Sequence, residues 1–195
     1  MEKQRKVKTL SIVALIVAVL GLTVAFASLS QTLTINGTAK VETATWDIKF
    51  ANLSAATKTG AAEVTTEPTL QDDSTALKTF AIKLTKPGDS VTYTFDVKNS
   101  GTIDAIITGI VPETIQPVCT GVSATNAEAD ANIICNGLTY SLTYTDGGKA
   151  VAKNDTLAAG ETKNLTLKLA FESDSLPTDD VNISGLDIAL TYGQN

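Results

Sequence analysis

Histidine is absent from this chain, and large aromatic side chains are few: one Trp, four Tyr and five Phe among 195 residues. Without histidine the chain cannot form a Ser-His-Asp triad, a Cys-His pair or the helical zinc motif of many metalloproteases. The acidic pairs Asp72-Asp73 and Asp179-Asp180 lie in polar segments, where solvated surface charge is more common than a glycosidase site. We therefore predict that the protein is not an enzyme and has no catalytic residue, metal site or cofactor.

Basic side chains are also scarce beyond the first 27 residues. The chain has 15 Lys and Arg and 21 Asp and Glu, of which residues 1–27 hold four and one, so residues 28–195 keep 11 basic and 20 acidic residues and a net charge of −9. An acidic surface repels phosphate backbones, which argues against nucleic acid as a partner. The same charge suits a soluble secreted protein.

Residues 1–27 have the layout of a secretory signal peptide. A basic start precedes an uncharged apolar run over residues 10–27, which ends with small residues at Ala25 and Ala27. Signal peptidase would then cut between Ala27 and Ser28. The alternative is an uncleaved transmembrane anchor, because about 18 apolar residues approach the length needed to cross ~30 Å of hydrocarbon. Both interpretations place residues 28–195 outside the cell, since the basic flank stays on the cytoplasmic side.

Residues 28–195 are predicted to form one all-β domain. Short stretches that alternate apolar and polar residues follow one another, separated by Gly, Pro, Asn and Asp, and no amphipathic helix is predicted after residue 28. Residues 51–76 and 112–137 are predicted to be loops, with one short strand near Glu63–Thr66. The pattern favours an antiparallel β-sandwich or jelly roll, preceded by a signal or membrane-anchor helix.

Two segments share one design, an acidic turn followed by a long alternating strand. They cover residues 86–98 and 158–171, with Gly88-Asp89-Ser90 in the first matched by Gly160-Glu161-Thr162 in the second. They are predicted to take similar places in the two sheets. The alternative is that the likeness has no structural meaning, because acidic turns before strands are common.

Cys119 and Cys135 are the two cysteines of the chain. In an exported protein such a pair usually forms a disulfide, which would close the polar segment between them. Two buried thiols are the alternative.

The first predicted strand begins directly after the apolar run. In the segment TLTINGTAKV, one face carries the residues Leu33, Ile35, Gly37, Ala39 and Val41. It is either the first strand of its own domain or, once cleavage frees Ser28, a strand donated to the open sheet edge of a neighbouring molecule.

These features resemble the family of TasA and camelysin, exported surface and biofilm-matrix proteins of Gram-positive bacteria. The resemblance is carried by the basic and apolar leader, by the strand at the mature N-terminus and by LTKPGDSVTYTFDVKNSGTIDA. It covers the leader and about two-thirds of the remaining chain, and the segment between the two cysteines is not part of the family pattern.

The resemblance implies a non-catalytic structural protein of the cell surface or extracellular matrix. It implies a jelly-roll subunit released by signal peptidase, whose N-terminal strand fills a groove of the next copy, so that the protein's main partner is itself and the product is a fibre. The alternative is a secreted or membrane-anchored binding module for a carbohydrate or protein partner. A carbohydrate site would usually show exposed aromatic side chains, and Trp46 is the main candidate.

Overall fold

The computed structural model describes residues 2–28 and 37–194, with side chains for residues 3–20 and 37–194. Its contacts divide the chain into two compact units, with the division between Glu42 and Thr43. The first unit contains helix α1 (Glu2–Ser28), a proline-free run rich in Ala, Leu, Ile and Val whose described side chains are all exposed. No helix among the described residues combines the length and apolar character that a membrane span requires.

The second unit consists mostly of β-strands. The strands are β1 (Ile48–Ala51), β2 (Thr57–Thr59), β3 (Glu63–Thr66), β4 (Ala81–Lys83), β5 (Ser90–Asn99), β6 (Ala105–Val111), β7 (Val118–Gly121), β8 (Leu138–Tyr144), β9 (Thr156–Leu157), β10 (Thr162–Phe171), β11 (Val181–Ser184) and β12 (Ala189–Gln194). One helix, α2 (Ala127–Gly137), interrupts them. The prediction of an all-β fold is confirmed, as is the short strand at Glu63–Thr66.

The strands form several antiparallel sheets. The largest sheet has the strand order β1-β5-β10-β8. Its fifth strand, β2, pairs with residues 90–92 of β5, on the same edge where β1 pairs with residues 96–99. The others have the orders β12-β6-β9, β11-β7 and β3-β4. The two long central strands, β5 and β10, pair along almost their whole length, from Ser90 opposite Ala170 to Lys98 opposite Thr162.

The hydrophobic core lies on one face of the five-stranded sheet. Alternation of period two sends every second side chain of the central strands to this face. The buried set on β5, β8 and β10 is Val91, Tyr93, Phe95, Val97, Tyr140, Leu142, Leu165, Leu167 and Leu169. Half-buried side chains of β3, β4 and β12, among them Val64, Ile82 and Leu190, pack against it.

The prediction of a loop without helix over residues 112–137 is wrong, because β7 and α2 lie there. Glu128 and Asp130 stand in the first turn of α2, where acidic side chains interact favourably with the helix dipole. The buried face of the helix consists of Asp130 and Ile134, one turn apart. The buried carboxylate of Asp130 is compensated by hydrogen bonds from Thr178, at 2.7 Å from the backbone N–H and 3.0 Å from the hydroxyl. Because only one of the two buried residues of α2 is apolar, the sequence of this helix does not show the apolar stripe that identifies an amphipathic helix.

Two further predictions need correction. The matched segments 86–98 and 158–171 do not lie in two different sheets, because β5 and β10 are neighbours in one sheet. The alternation in ISGLDIALTYGQ, residues 183–194, predicts one last strand, but the structure has two, because the chain turns at Gly185. This glycine has a φ of 72°, a conformation that costs glycine little. The residues before this turn, β11, pair with β7, and the residues after it, β12, pair with β6.

Candidate functional site

An apolar cleft of about 510 Å³ opens over the core face of the five-stranded sheet. Its floor comes from Phe50 of β1, Phe95 of β5, Leu167 of β10 and Leu142 of β8. The rings of Phe50 and Phe95 meet edge to face, with centroids 5.4 Å apart, a favoured aromatic geometry. The floor is apolar because these residues occupy the inward positions of their strands. A cleft of this size is large enough for a small ligand or for part of an extended peptide.

One wall of the cleft is the segment 183–190, which runs from β11 into β12. The hydroxyl of Tyr140 on the floor donates a 2.6 Å hydrogen bond to the carbonyl of Leu186. Burial, together with the negative charge of Asp187, raises the pKa of Tyr140 above its usual value. Through this hydrogen bond the phenol holds the wall to the sheet.

The disulfide between Cys119 and Cys135 supports the same wall, and its prediction is confirmed. It joins α2 to β7, and Cys119 lies opposite Ile183 in the pairing of β7 with β11. Ile183 also lines the cleft. The disulfide is therefore separated from the cleft only by the pairing of β7 with β11.

The opposite wall includes part of a hairpin, residues 69–78, which we call the strap. Its two arms are joined by bonds from Lys78 N–H to Thr69 O at 2.7 Å and from Gln71 N–H to Ala76 O at 2.9 Å. At its tip, Ser74 has a φ of 57°, and its carbonyl accepts a 2.8 Å hydrogen bond from the N–H of Phe50. The strap thus meets the edge of β1 through a backbone hydrogen bond.

Two strand edges border a second opening of about 280 Å³ that shares lining residues with the cleft. Ile48, Lys49 and Phe50 of β1 lie on one side, and Leu190 and Tyr192 of β12 on the other. Within the described residues, β1 has a strand partner only in β5, and β12 only in β6. Edges with unpaired backbone groups are templates for an added strand.

The second opening also carries aromatic and charged groups. Trp46 remains 46% exposed at its margin, and the ammonium of Lys49 lies 2.9 Å from Asp47. Burial raises the pKa of Tyr192 to about 12, with a smaller contribution from the negative charge of Asp155. At neutral pH this margin therefore offers a neutral phenol, an indole and one ion pair.

The predicted cleavage residues lie at the end of α1. Ala25, Ala27 and Ser28 have helical backbone, and their side chains lie outside the described part of the structure. Cleavage between Ala27 and Ser28 stays a prediction.

The predicted strand donor is only partly described. Leu33 and Ile35 lie outside the described residues, whereas Gly37, Ala39 and Val41 are exposed and belong to no strand. Val41 is 96% exposed, so its side chain is not packed against any of the described residues. Their role as a strand donor stays a prediction.

Sequence reasoning missed the strap and the wall formed by residues 183–190. The positive φ of Gly185 is a conformation that glycine favours, and a glycine within an alternating segment was the one available signal for the break in the last strand. No comparable signal marks Ser74, because serine rarely adopts positive φ. The acidic neighbours of Ser74 include Asp73, which accepts a 3.1 Å bond from the N–H of Thr75.

Comparison of the chain with protein-family models, with curated proteins and with solved structures finds no match. In residues 2–28 and 37–194, no three His, Cys, Asp or Glu side chains are grouped so that they could hold a metal ion.

Proposed function

We propose that this protein is an exported, non-catalytic structural subunit of a fibre at the cell surface or in the biofilm matrix of a Gram-positive bacterium. In this proposal the N-terminal segment of one copy adds a strand to the next copy, as the resemblance to the TasA and camelysin family implies. The observation that carries it is the apolar cleft next to the open edges of β1 and β12.

The donor and the acceptor have complementary chemistry. Residues 32–41 alternate, so a donated strand would turn Leu33, Ile35 and Val41 toward the cleft floor while its backbone pairs with a sheet edge. Each aliphatic side chain that becomes buried contributes roughly 1.5–3 kcal/mol. The exposure of Val41 leaves at least one of these side chains free to bind elsewhere.

The remaining parts of the proposal concern export and architecture. Residues 1–27 serve as a signal peptide or membrane anchor, residues 10–27 hold the chain in the membrane before cleavage, and signal peptidase releases Ser28. The sheets of residues 43–194 belong to an antiparallel β-sandwich of the jelly-roll type. The pairing of β5 with β10 and the packing of β12 against their core support this architecture.

The test uses the full-length chain, exported and purified from a Gram-positive host. Ile35→Asp would put an unpaired charge into the apolar cleft and should abolish filaments in electron micrographs and large species in sedimentation velocity. Thr34→Asp adds the same charge on the opposite face of the strand and should leave filaments intact. Equal filament formation by wild type and Ile35→Asp would contradict strand donation.

A second candidate function, a binding module for a carbohydrate, is favoured by the half-exposed Trp46 beside the second opening. Indole faces stack on sugar rings, and Lys49 and Thr191 could bind sugar hydroxyls. Trp46 is the single tryptophan, so its fluorescence reports on this site directly. A saturable change in emission on adding cell-wall oligosaccharides to a strictly monomeric preparation would favour this function over the fibre.

A further inference from the structure

We propose that the strap, residues 69–78, is an autoinhibitory gate on the edge of β1. In the single subunit, the Ser74 carbonyl occupies the hydrogen-bonding position that an incoming strand needs, and the strap leaves this position when a strand binds. This inference rests on the proposed function, because it assumes that the cleft accepts a strand.

The contact lies at the exposed side of an edge strand. β1 pairs with β5 through the register Phe50 opposite Val97, yet the N–H of Phe50 donates to Ser74 and therefore points away from β5. This N–H belongs to the row that an added strand would pair with. Since one N–H donates one good hydrogen bond, Ser74 and an incoming strand compete for Phe50.

The strap is built to move as a unit. Besides the two bonds between its arms, Leu70 and Leu77 form a β-bridge, and the N–H of Ser74 donates to Gln71 at 2.8 Å. These bonds lie inside the strap and survive its displacement. The side chains of Ala76 and Leu77 line the cleft, so the moving strap would vacate apolar space that the donated side chains can fill.

The closed position carries a conformational cost at its contact residue. Ser74 has a φ of 57°, in the left-handed region that disfavours residues with a Cβ. The described chain has two other non-glycine residues with positive φ, Asn52 and Asn154, and asparagine tolerates this region better than serine. The cost weakens the closed state and makes it displaceable.

Two substitutions at Ser74 shift the gate in opposite directions. Ser74→Gly removes the cost and should close the strap more firmly, whereas Ser74→Val adds a β-branched side chain and should open it. The matched control is Asn154→Gly, which relieves a φ of 72° in the turn before β9, away from the strap. Any general effect of relieving positive φ appears in this control as well.

The first measurement is amide hydrogen exchange of the full-length protein. We expect exchange at Phe50 to slow about fivefold in Ser74→Gly and to accelerate in Ser74→Val. The N–H of Ser54, which donates to Thr94 O of β5 rather than to the strap, should not change in either variant. Unchanged exchange at Phe50 in both variants would overturn the gate, whatever the cleft binds.

The second measurement is binding of a fluorescent peptide with the sequence of residues 28–41, SLSQTLTINGTAKV. Its apparent Kd should rise about fivefold in Ser74→Gly, fall in Ser74→Val and stay at the wild-type value in Asn154→Gly. Equal binding by all four proteins would overturn the gate and leave strand donation standing. Failure of all four to bind, with exchange at Phe50 still responding, would overturn the proposed function and this inference with it.

Discussion

The two turn-plus-strand units, residues 86–98 and 158–171, make equivalent backbone hydrogen bonds but differ in the burial of their acidic turn residue. The turn of each unit binds the end of the other unit's strand: Gly88 N–H donates to Phe171 O at 2.8 Å, and Gly160 N–H donates to Asn99 O at 2.9 Å. The return bonds, from Phe171 N–H to Asp89 O and from Asn99 N–H to Glu161 O, complete a reciprocal arrangement around the antiparallel pair β5 and β10. The similarity of the two sequences therefore reflects a local two-fold relation within one sheet.

The acidic side chains break this symmetry. Asp89 is fully buried and accepts three backbone bonds, from Ala61 at 2.7 Å, Thr85 at 2.7 Å and Lys86 at 3.0 Å. The Glu161 side chain is 38% exposed and accepts one, from Ala158 at 2.6 Å. The Asp89 side chain is enclosed between its own turn and the segment after β2 that contains Ala61, whereas the Glu161 side chain lies at the surface. The same local motif therefore serves as a buried anchor in one unit and as a surface turn in the other.

Replacing Asp89 or Glu161 with alanine should show the difference between the two turns most strongly. We expect Asp89→Ala to lower the free energy of unfolding by about 4 kcal/mol, because three partly buried N–H groups lose their acceptor. Glu161→Ala should cost less than about 1 kcal/mol, since water can replace its single bond. Urea unfolding of the full-length proteins measures both, and equal losses would show that burial does not distinguish the two turns.

Loss of the disulfide tests whether Asp89 stabilises the protein independently of the segment that lies between the two turn-plus-strand units in sequence. The double substitution Cys119→Ser and Cys135→Ser should destabilise the protein by about 3 kcal/mol on the chain-entropy model. Because Asp89 and the cysteines share no hydrogen-bond partner, the cost of Asp89→Ala should be the same with or without the disulfide. Urea unfolding of the combined variant checks this, and a strongly non-additive result would mean that the two regions unfold as one network.

Acid should reduce the difference in unfolding free energy between the wild type and Asp89→Ala. Burial raises the pKa of Asp89, but the backbone bonds from Thr85, Ala61 and Lys86 outweigh it and hold the pKa below its usual value. A lowered folded-state pKa gives stability that is present above about pH 4 and is lost as the pH falls through that lower value. Urea midpoints measured from pH 6 to pH 2 should therefore converge for wild type and Asp89→Ala. A constant gap across this range would contradict a charged Asp89 in the folded state.

Some of this fold was predictable because it depends on neighbours in sequence. Alternation of period two identified the long strands β5 and β10, since side-chain direction in a strand follows from the backbone. The disulfide was also predictable, because two cysteines that flank a polar segment usually pair in a chain that the sequence predicts to be exported. Helix α2 was not, because its buried face depends on Thr178, which is distant in sequence.

The candidate site was less predictable than the fold. The residues of the cleft floor appeared as core positions, but nothing in their local pattern shows that residues 183–190 stand apart from them and leave a cleft. Nor does it show that Ser74 adopts a positive φ and takes the N–H of Phe50.

Local alternation and turn residues thus specify the strands and which of their side chains face inward, because each choice involves only adjacent peptide units. The pairing of β5 with β10, the burial of Asp89 and the position of the strap arise only in the folded chain. They depend on hydrogen bonds and packing between segments far apart in sequence, where many pairings satisfy the same alternating pattern and the combined fit of the whole core selects one.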